Sequence, residues 1–596
     1  MTSKLGMFNS SLPHLVRAMW GARVGQFWLI WITIGIVAAV AVILAVHEKR
    51  ADSSGSGIST PQRQLIPIPA SGWAALVMLA IFLAAYSWMV LVWEDFAYPD
   101  NSMFTQYSLQ GKNIAPPIWP AMGRFFPLGY QEFNLIRYFA SSAVGYHAFP
   151  LLQIILLTVM LLMLQSELSM AVRTGFTVLV LLAPGFVISF GGLIYSDRNL
   201  IFFLVALVFS VKRFDETHRT RWGVAAVASA QVMIYCKETA FLLLLVFALA
   251  RLALRSRAAK AAGTGSRLLP SQDSRLDVCL AAVAITFLLY YVAVMLPHPN
   301  AQYAVAHRQP LLTIVGAYLK LDWLAWSLLA VVLIRCVMAI RGSLFLSPLW
   351  DALGLGGAAY FLSYLYLRMY SAYYLGPVDL IAVIYLGRLL AISYSKQKFP
   401  LKLATSALIC AIVLQNLSLT ACRVYERKNV IHGKDELAAA IQSQFQSQPR
   451  GKLRLFFPFS TPYRVMEFAS YLSYRGLPVE RSSDAPLNVS SVALASPAVT
   501  KDGPCQDYES FECHAASSPT RGDLIVVLPE DDASQSDASV YADQGRVLNL
   551  YQPRPVLPDD LTPWLRSLHI VSFEFPGKEF PDRWLRASVS VWSASG

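Results

Sequence analysis

The sequence has little charge for its length, and it lacks the motifs of nucleotide-driven chemistry. Of its 596 residues only 14% are charged, whereas 55% are hydrophobic. A P-loop, an HExxH motif, paired CxxC motifs and a GxGxxG motif after a strand are all absent from it. These absences argue against chemistry driven by bound ATP.

The hydrophobic content places the chain among multi-pass membrane proteins. Its mean hydropathy of +0.47 is too apolar for a soluble protein. A formal net charge of +12 is compatible with a nucleic-acid partner, but most Lys and Arg residues lie in short loops between apolar runs. That distribution is expected from the positive-inside rule and not from a nucleic-acid groove.

Apolar runs of spanning or near-spanning length recur up to about residue 421 and then stop. They predict an α-helical polytopic membrane domain with about 12 transmembrane helices, although several runs are shorter than the roughly 20 residues of a straight span. The predicted spans are residues 27–46, 73–93, 149–164, 175–192, 200–211, 222–236, 240–254, 278–296, 323–340, 349–367, 375–392 and 403–422.

Basic loops predict the orientation of these spans. The short basic segments at residues 212–221, 251–267 and 395–402 are expected on the cytoplasmic side. The carboxylate- and tyrosine-containing loops, and everything after residue 422, then fall on the outer face. Residues 1–72 are predicted to form an extra N-terminal transmembrane helix and a linker. No small-residue cleavage site follows the 27–46 run, so we expect this helix to be retained.

Residues 423–596 change character and predict a soluble outer α/β domain. Short β-rich runs such as "LRLFFPF" and "DLIVVLP" alternate with polar segments. The segment "STPYRVMEFASYLSYRG" has the start, spacing and terminal glycine of a capped amphipathic helix. Cys505 and Cys513 are the only cysteines of this region; on an oxidising face they either form a disulfide or remain two free thiols.

Ionisable residues cluster at the predicted outer ends of the spans. Any one of them alone is explained as a helix end that reaches the headgroup region, but the set on one face indicates a shared site. The set comprises Glu94, Asp95, Asp100, Asp197, Lys237 and Glu238.

These motifs resemble those of the GT-C superfamily, polytopic glycosyltransferases that take a sugar from a polyprenyl-phosphate donor. Glu94 and Asp95, in "LVWEDFAYPDN", resemble the acidic motif of the family's first outer loop. "GLIYSDRNLIFFLVALVF" resembles its second outer loop, and "MIYCKETAFLLLLVF" the Lys-containing turn before a later helix. The resemblance covers residues 73–422 and implies a GT-C-like catalytic domain. The Glu–Asp order reverses the Asp–Glu order of protein mannosyltransferases.

Sugar transfer from a lipid phosphate needs a base and cations, and the cluster contains both. Asp95 is the candidate base, with Glu94 beside it, and Asp197 would orient the acceptor or the donor sugar. Cations would hold the departing phosphate. The candidates are Lys237, Arg124, Arg198 and Arg368; for Arg198 and Arg368, snorkelling to the interface is an equally good explanation.

The remaining outer segments give weaker signals. Residues 96–146 are rich in Pro, Trp and Phe, which suits short interfacial helices that wall a groove for a prenyl chain or simply pack there. His298 and His307 are the only hint of a metal site, and without a nearby carboxylate pattern the hint is weak. We therefore assign no cofactor, and the sequence leaves a divalent metal open without indicating one.

The leading hypothesis is a membrane glycosyltransferase that acts on the outer face of a bacterial inner membrane. Its donor would be a polyprenyl-phosphate-linked sugar, its acceptor a glycan, lipid or protein, and no nucleic acid would be involved. Two alternatives remain: a secondary transporter or lipid flippase, and a polymerase or ligase of lipid-linked glycans. Transporters place charges at mid-membrane and often contain internal repeats, whereas here the charges cluster at one face and no repeat is visible.

Overall fold

The structure is a computed structural model of the 596-residue chain. It describes residues 70–93, 95–98, 101, 107–119, 123–261, 274–295, 308–393, 398–447, 453–458, 460–480, 491–496, 513–515, 523–528, 547–551 and 590–594. The predicted N-terminal span at residues 27–46 and most of the linker after it lie outside these residues.

Helices form most of the described chain. In an apolar run, the helical conformation pairs every backbone N–H and C=O within the segment, and neighbouring helices bury their apolar side chains against each other. In chain order they are α1 Ala70–Trp88, α2 Gln131–Ile136, α3 Ala143–Leu164, α4 Met170–Leu181, α5 Pro184–Gly191, α6 Asp197–Thr217, α7 Thr220–Cys236, α8 Ala240–Ala261, α9 Arg275–Met295, α10 Leu311–Leu321, α11 Trp323–Ile340, α12 Trp350–Leu367, α13 Gly376–Ser393, α14 Phe399–Ser447 and α15 Pro462–Tyr474. A π-helical turn over Met89–Trp93 extends α1, and a 3-10 helix over Ala372–Leu375 leads into α13.

Among the described residues, 6 helices are long and apolar enough to cross a membrane. They lie at Ser71–Val92, Ala143–Leu164, Arg275–Val292, Trp323–Ile340, Ala372–Ser393 and Phe399–Ala421. A seventh span arises if α4 and α5, which meet at 63°, are counted as one. The chain is therefore a mostly helical multi-pass membrane protein. The predicted count of about 12 spans is not confirmed: α7 has 17 residues, and α6 has charged residues at both ends.

The helices surround α6, which is buried along most of its length. It packs against α7 and α3, while α8 packs against α12 and α9. Close packing between α5 and the start of α13 depends on two glycines. A Cβ on Gly185 would lie 2.6 Å from the backbone nitrogen of Gly376 and 2.7 Å from the carbonyl oxygen of Ala372. These backbones approach each other closely because neither glycine carries a side chain.

The two ends of the bundle differ in their charged groups. At the end where α6 ends and α7 begins, here called the basic end, several ion pairs join neighbouring helices. Arg251 Nε lies 2.6 Å from Asp277 Oδ1, and Lys212 Nζ lies 2.7 Å from Glu167 Oε1. The opposite end, where α6 begins at Asp197 and α7 ends at Cys236, is called the site end.

The last part of the chain forms a sheet at the far end of α14. That helix has 49 residues and continues well beyond its candidate span. The strands are β3 Leu453–Phe456, β4 Val492–Ser496, β5 Cys513–Ala515, β6 Leu524–Val527, β7 Val547–Tyr551 and β8 Ser590–Ala594, in the spatial order β5-β4-β3-β6-β8-β7. The pairs β3–β4, β3–β6 and β4–β5 are parallel, whereas β6–β8 and β7–β8 are antiparallel. A separate pair, β1 Ile118–Trp119 and β2 Arg124–Phe125, forms a short hairpin between α1 and α2.

The predicted capped helix of this region is confirmed as α15. Thr461 Oγ1 accepts a hydrogen bond from the backbone N–H of Arg464, Pro462 occupies the first turn, and Gly476 follows the helix with a positive φ of 88°. Of the predicted disulfide, Cys505 lies outside the described residues and Cys513 begins β5. The pairing stays a prediction.

One apolar cluster joins the sheet to the helical part of the chain. It contains Phe96, Phe133 and Tyr146 together with residues of α14, β3 and α15. The loop after α1 and the N-terminal end of α3 are therefore packed directly against the C-terminal sheet and its helix.

Candidate active site

Two helix ends bring Asp197 and Lys237 together at the site end. Asp197 is the first residue of α6, where the helix dipole favours a carboxylate. Lys237 follows α7 in an extended conformation, and its Nζ donates to Asp197 Oδ2 at 3.0 Å. Both side chains are buried, and Asp197 Oδ1 has no hydrogen-bond partner among the described residues. This oxygen can accept a hydrogen bond from a hydroxyl of a bound molecule.

A second ion pair lies beside the first because Lys237 and Glu238 are consecutive. Glu238 Oε1 accepts a hydrogen bond of 2.6 Å from Nε of Arg124, which stands on β2. The amide of Leu128 donates to the carbonyl of Tyr235 at 3.0 Å and so ties the segment after β2 to the end of α7. Two cations and two carboxylates thus meet at one turn.

Aromatic side chains cover Lys237 from the 3-10 helix. Its Nζ lies 4.8 Å from the ring centroid of Tyr374 and 5.5 Å from that of Tyr373. The ring of Tyr373 in turn lies 4.5 Å from that of Tyr195, just before α6. Sequence analysis did not single out these tyrosines, because an aromatic at a span end is ordinary in a membrane protein.

Arg198 has a different environment from the other candidate phosphate partners. Its guanidinium is fully buried and donates to Glu132 Oε1 at 2.5 Å. Asn199 donates to the same oxygen at 2.9 Å and accepts from Gln153 at 2.9 Å. These bonds tie α2, α3 and α6 together. The phosphate-binding role predicted for Arg198 stays a prediction, and Glu132, which neutralises its charge, was missed.

Arg368 caps the C-terminal end of α12 in a left-handed conformation, with φ 56°. Its carbonyl accepts from the amide of Gln309 at 3.1 Å, and its half-buried guanidinium has no ion-pair partner among the described residues. The four residues after it lead to the tyrosines over Lys237. Arg368 is therefore a cation a few residues before the tyrosines that cover Lys237.

Asp95 lies away from these pairs, against the C-terminal part of the chain. Its Oδ1 accepts the backbone N–H of Phe96 at 2.5 Å. Burial raises the pKa of Asp95; the Phe96 amide counteracts this, the Asp435 carboxylate raises it further, and Arg475 and Lys428 lower it. Within the described residues Asp95 makes no ion pair with Lys237 or Arg124.

A basic residue on α14 faces the same side of the bundle. The guanidinium of Arg427 lies 4.2 Å from the ring centroid of Tyr98. His147, fully buried on α3, has no hydrogen-bond partner for either ring nitrogen among the described residues. Sequence analysis missed both. For Arg427 a signal existed, since a basic residue just past the last apolar run, on the predicted outer side, runs against the positive-inside rule.

The other predicted site residues cannot be placed. Glu94, Asp100, His298 and His307 lie outside the described residues. In the part of the chain that the structure describes, no group of three or more His, Cys, Asp and Glu side chains is arranged to hold a metal ion.

The fold and the site define the class of protein: a multi-pass membrane protein with buried ion pairs at both ends of its helix bundle, two of them adjacent at the site end. No protein-family model and no curated protein matches the chain. One solved structure that is similar is ArnT from Cupriavidus metallidurans bound to undecaprenyl phosphate. It shares 14% sequence identity with this chain, covers 88% of this chain and 98% of its own, and superposes with a TM-score of 0.44.

Proposed function

We propose that the chain is a membrane glycosyltransferase that moves a sugar from a polyprenyl-phosphate donor to an acceptor hydroxyl. The reaction would take place on the outer face of a bacterial cytoplasmic membrane. The observation that carries this proposal is the pair of adjacent ion pairs, Lys237–Asp197 and Arg124–Glu238, at one turn of the site end. The GT-C-like motifs at the same positions support it.

The ion pairs suit a phosphate leaving group that arrives with its own negative charge. Lys237 and Arg124 would exchange carboxylate partners for phosphate oxygens, and Arg368 would add a further cation. The exchange frees Asp197 to hold a sugar or acceptor hydroxyl. A site that is neutral when empty avoids burying uncompensated cations.

The transfer itself breaks the bond between the anomeric carbon and the phosphate oxygen and forms a bond from that carbon to the acceptor oxygen. The acceptor proton passes to the Asp95 carboxylate, and the polyprenyl phosphate leaves. Asp95 must then share a cavity with the donor sugar. Its raised pKa makes it a stronger base than an exposed aspartate.

The proposed organisation follows the sequence analysis. Residues 73–422 would form the GT-C-like catalytic domain with about 12 transmembrane helices counted over the whole chain. Residues 423–596 would form an outer α/β domain that recruits or covers the acceptor, which is a glycan, a lipid or a protein.

The test is a transfer assay with purified protein in detergent, without ATP or an ion gradient. Polyprenyl-phosphate sugars are supplied, and release of polyprenyl phosphate is measured with and without candidate acceptors. Acceptor-dependent release that disappears in Lys237→Met and persists in Lys212→Met supports the proposal. Transport of the intact lipid across a vesicle membrane, with no bond broken, would favour the flippase alternative instead.

A further inference from the structure

The loop that carries Asp95 is anchored in the C-terminal part of the chain. Phe96, the next residue, is buried, and its ring meets that of Tyr474 edge-on at 4.9 Å and that of Tyr146 at 5.3 Å. Tyr474 is the last residue of α15. The position of the Asp95 backbone is thus set by a helix that belongs to the sheet and by one that belongs to the membrane bundle.

Charged groups of both signs face Asp95 from α14 and from the end of α15. The two whose charges act most strongly on Asp95 are Asp435 and Arg475, and they form an ion pair with each other. Tyr471 donates a hydrogen bond of 2.9 Å to the same Asp435 oxygen that accepts from Arg475. The groups that face Asp95 are Lys428 and Asp435 of α14, Tyr471 and Tyr474 of α15, and Arg475 just after it, with Glu94 preceding Asp95 in the chain.

We propose that Asp435, Arg475 and Tyr471 are positioning residues for the Asp95 carboxylate, so that α14 and α15 form part of the active site. This inference rests on the proposed function, in which Asp95 is the general base. A base must stay ionised before reaction and still bind the acceptor proton strongly. A neighbouring pair of opposite charges, held in place by Tyr471, balances these two demands.

The Asp435–Arg475 ion pair allows a direct test, because removing either partner should change the protonation of Asp95 in opposite directions. With Asp435→Asn, the Arg475 cation remains and stabilises the ionised form of Asp95. With Arg475→Gln, the Asp435 anion remains and favours the protonated form. A merely structural role predicts the same result for both variants, because each breaks the same ion pair. Both side chains are about one-third exposed or more, at 33% for Arg475 and 41% for Asp435, so the fold should tolerate either change.

The experiment measures protonation of Asp95 directly in the full-length protein. A water-soluble carbodiimide with an amine captures protonated carboxyl groups, and mass spectrometry quantifies the adduct at Asp95 across a pH series. Measurements in a Glu94→Gln background remove ambiguity from the neighbouring carboxyl. At about one pH unit above the wild-type midpoint, where only a small fraction of Asp95 is protonated, we expect Asp435→Asn to lower labelling about two- to threefold and Arg475→Gln to raise it by a similar factor, as expected for a nearby charge.

The matched control is the ion pair of Arg213 and Glu216 at the basic end, whose atoms lie 3.0 Å apart. Arg213→Gln and Glu216→Gln should leave Asp95 labelling unchanged. Equal shifts in Asp435→Asn and Arg475→Gln, or none in either, overturn the inference. Because labelling needs no turnover, it is separable from the proposed function. Suppose that Asp435→Asn and Arg475→Gln shift labelling in opposite directions, but Asp95→Asn transfers sugar at an undiminished rate. The electrostatic coupling of the ion pair to Asp95 then stands, and the role of Asp95 as base is refuted.

Tyr471→Phe adds an independent variant. Loss of its hydrogen bond loosens Asp435 without changing any formal charge. Where transfer is measurable, the pH–rate profile of this variant should shift in the same direction as that of Asp435→Asn but by less. A fall in rate at every pH with an unchanged profile would indicate a structural role only, and would remove Tyr471 from the proposal.

Discussion

At the scale of single residues, the turn at positions 237–239 decides what the site end can do. Lys237 and Glu238 carry opposite charges, and each pairs with a residue from a different element. Thr239 Oγ1 lies 3.0 Å from the hydroxyl of Tyr364 on α12. Three successive side chains therefore tie the end of α7 to α6, to β2 and to α12.

Asp95→Asn should abolish transfer while expression and donor binding remain largely intact. Loss of a general base typically costs about 10²–10⁴ in rate. Single-turnover transfer and donor binding, measured on the same preparations, provide the check. Asp100→Asn should have a milder effect. Near-normal turnover in Asp95→Asn together with loss in Glu94→Gln would show that the base is the other carboxylate of the pair.

Lys237→Met should weaken binding of the polyprenyl-phosphate donor by about 10- to 100-fold, because a charge-assisted contact to phosphate is lost. Lys212→Met is the matched control. This variant also deletes a buried ammonium group that pairs with a carboxylate, but at the basic end, where Lys212 pairs with Glu167. Both variants should unfold at lower temperature, and only the first should lose donor affinity in a lipid-binding titration. An equal loss of affinity in both would point to general destabilisation.

At the scale of elements, the approach of α5 to the start of α13 positions the aromatic cover over Lys237. The 3-10 helix that carries Tyr373 and Tyr374 lies directly before α13, and Gly185 packs against its backbone. Packing at a glycine some distance from the ion pairs thus helps to hold the tyrosines in place.

Gly185→Ala should displace this 3-10 helix, lowering both thermal stability and transfer. The added Cβ would lie within 2.8 Å of backbone atoms of two residues, and such overpacking costs about 1–3 kcal/mol. Gly175→Ala, in α4, adds the same methyl group where no atom lies within 4 Å, and should leave the protein as stable or slightly more so. A thermal melt and a transfer assay on both variants distinguish the outcomes.

Acid sensitivity of the basic end should depend on Glu167. Burial alone would raise its pKa, but hydrogen bonds and charges from Lys212 and Arg388 lower it from 4.5 to about 2. A pKa lowered in the folded state stabilises the protein above the unfolded value, and this contribution is lost as pH falls from about 4.5 through about 2. In wild type the melting temperature should fall over this window. Glu167→Gln should be less stable at neutral pH, with a flatter pH dependence.

The sequence predicted where the helices lie more accurately than it predicted which of them cross the membrane. Apolar runs located most of the long helices, but they could not separate helices such as α6, which other helices surround, from helices that face lipid. The structure brings Asp197, Lys237, Glu238 and Arg124 into contact, a set that the sequence placed at one face. The burial of Arg198 against Glu132 could not be read from sequence, because the pairing joins residues 66 positions apart.

At the scale of the whole molecule, the proposed orientation has a direct test. Cysteines introduced into residues 212–221 or 251–267 should be protected from membrane-impermeant thiol reagents in intact cells, whereas a cysteine near Glu530 should be labelled. The basic loops are expected to face the cytoplasm and the C-terminal part to face outwards. Labelling of the basic loops, with protection near Glu530, would invert the orientation and with it the proposed location of the site.

The unbroken helix α14 runs from the membrane bundle to the C-terminal sheet. Its 49 residues correspond to a rod about 74 Å long, and roughly half of that length lies beyond the candidate span. A rod amplifies small rotations: a tilt of about 5° at the membrane end would move the sheet end by about 3 Å over that distance. The same helix carries Asp435, which interacts electrostatically with Asp95, so a displacement of the sheet would reach the carboxylate that we propose as the base.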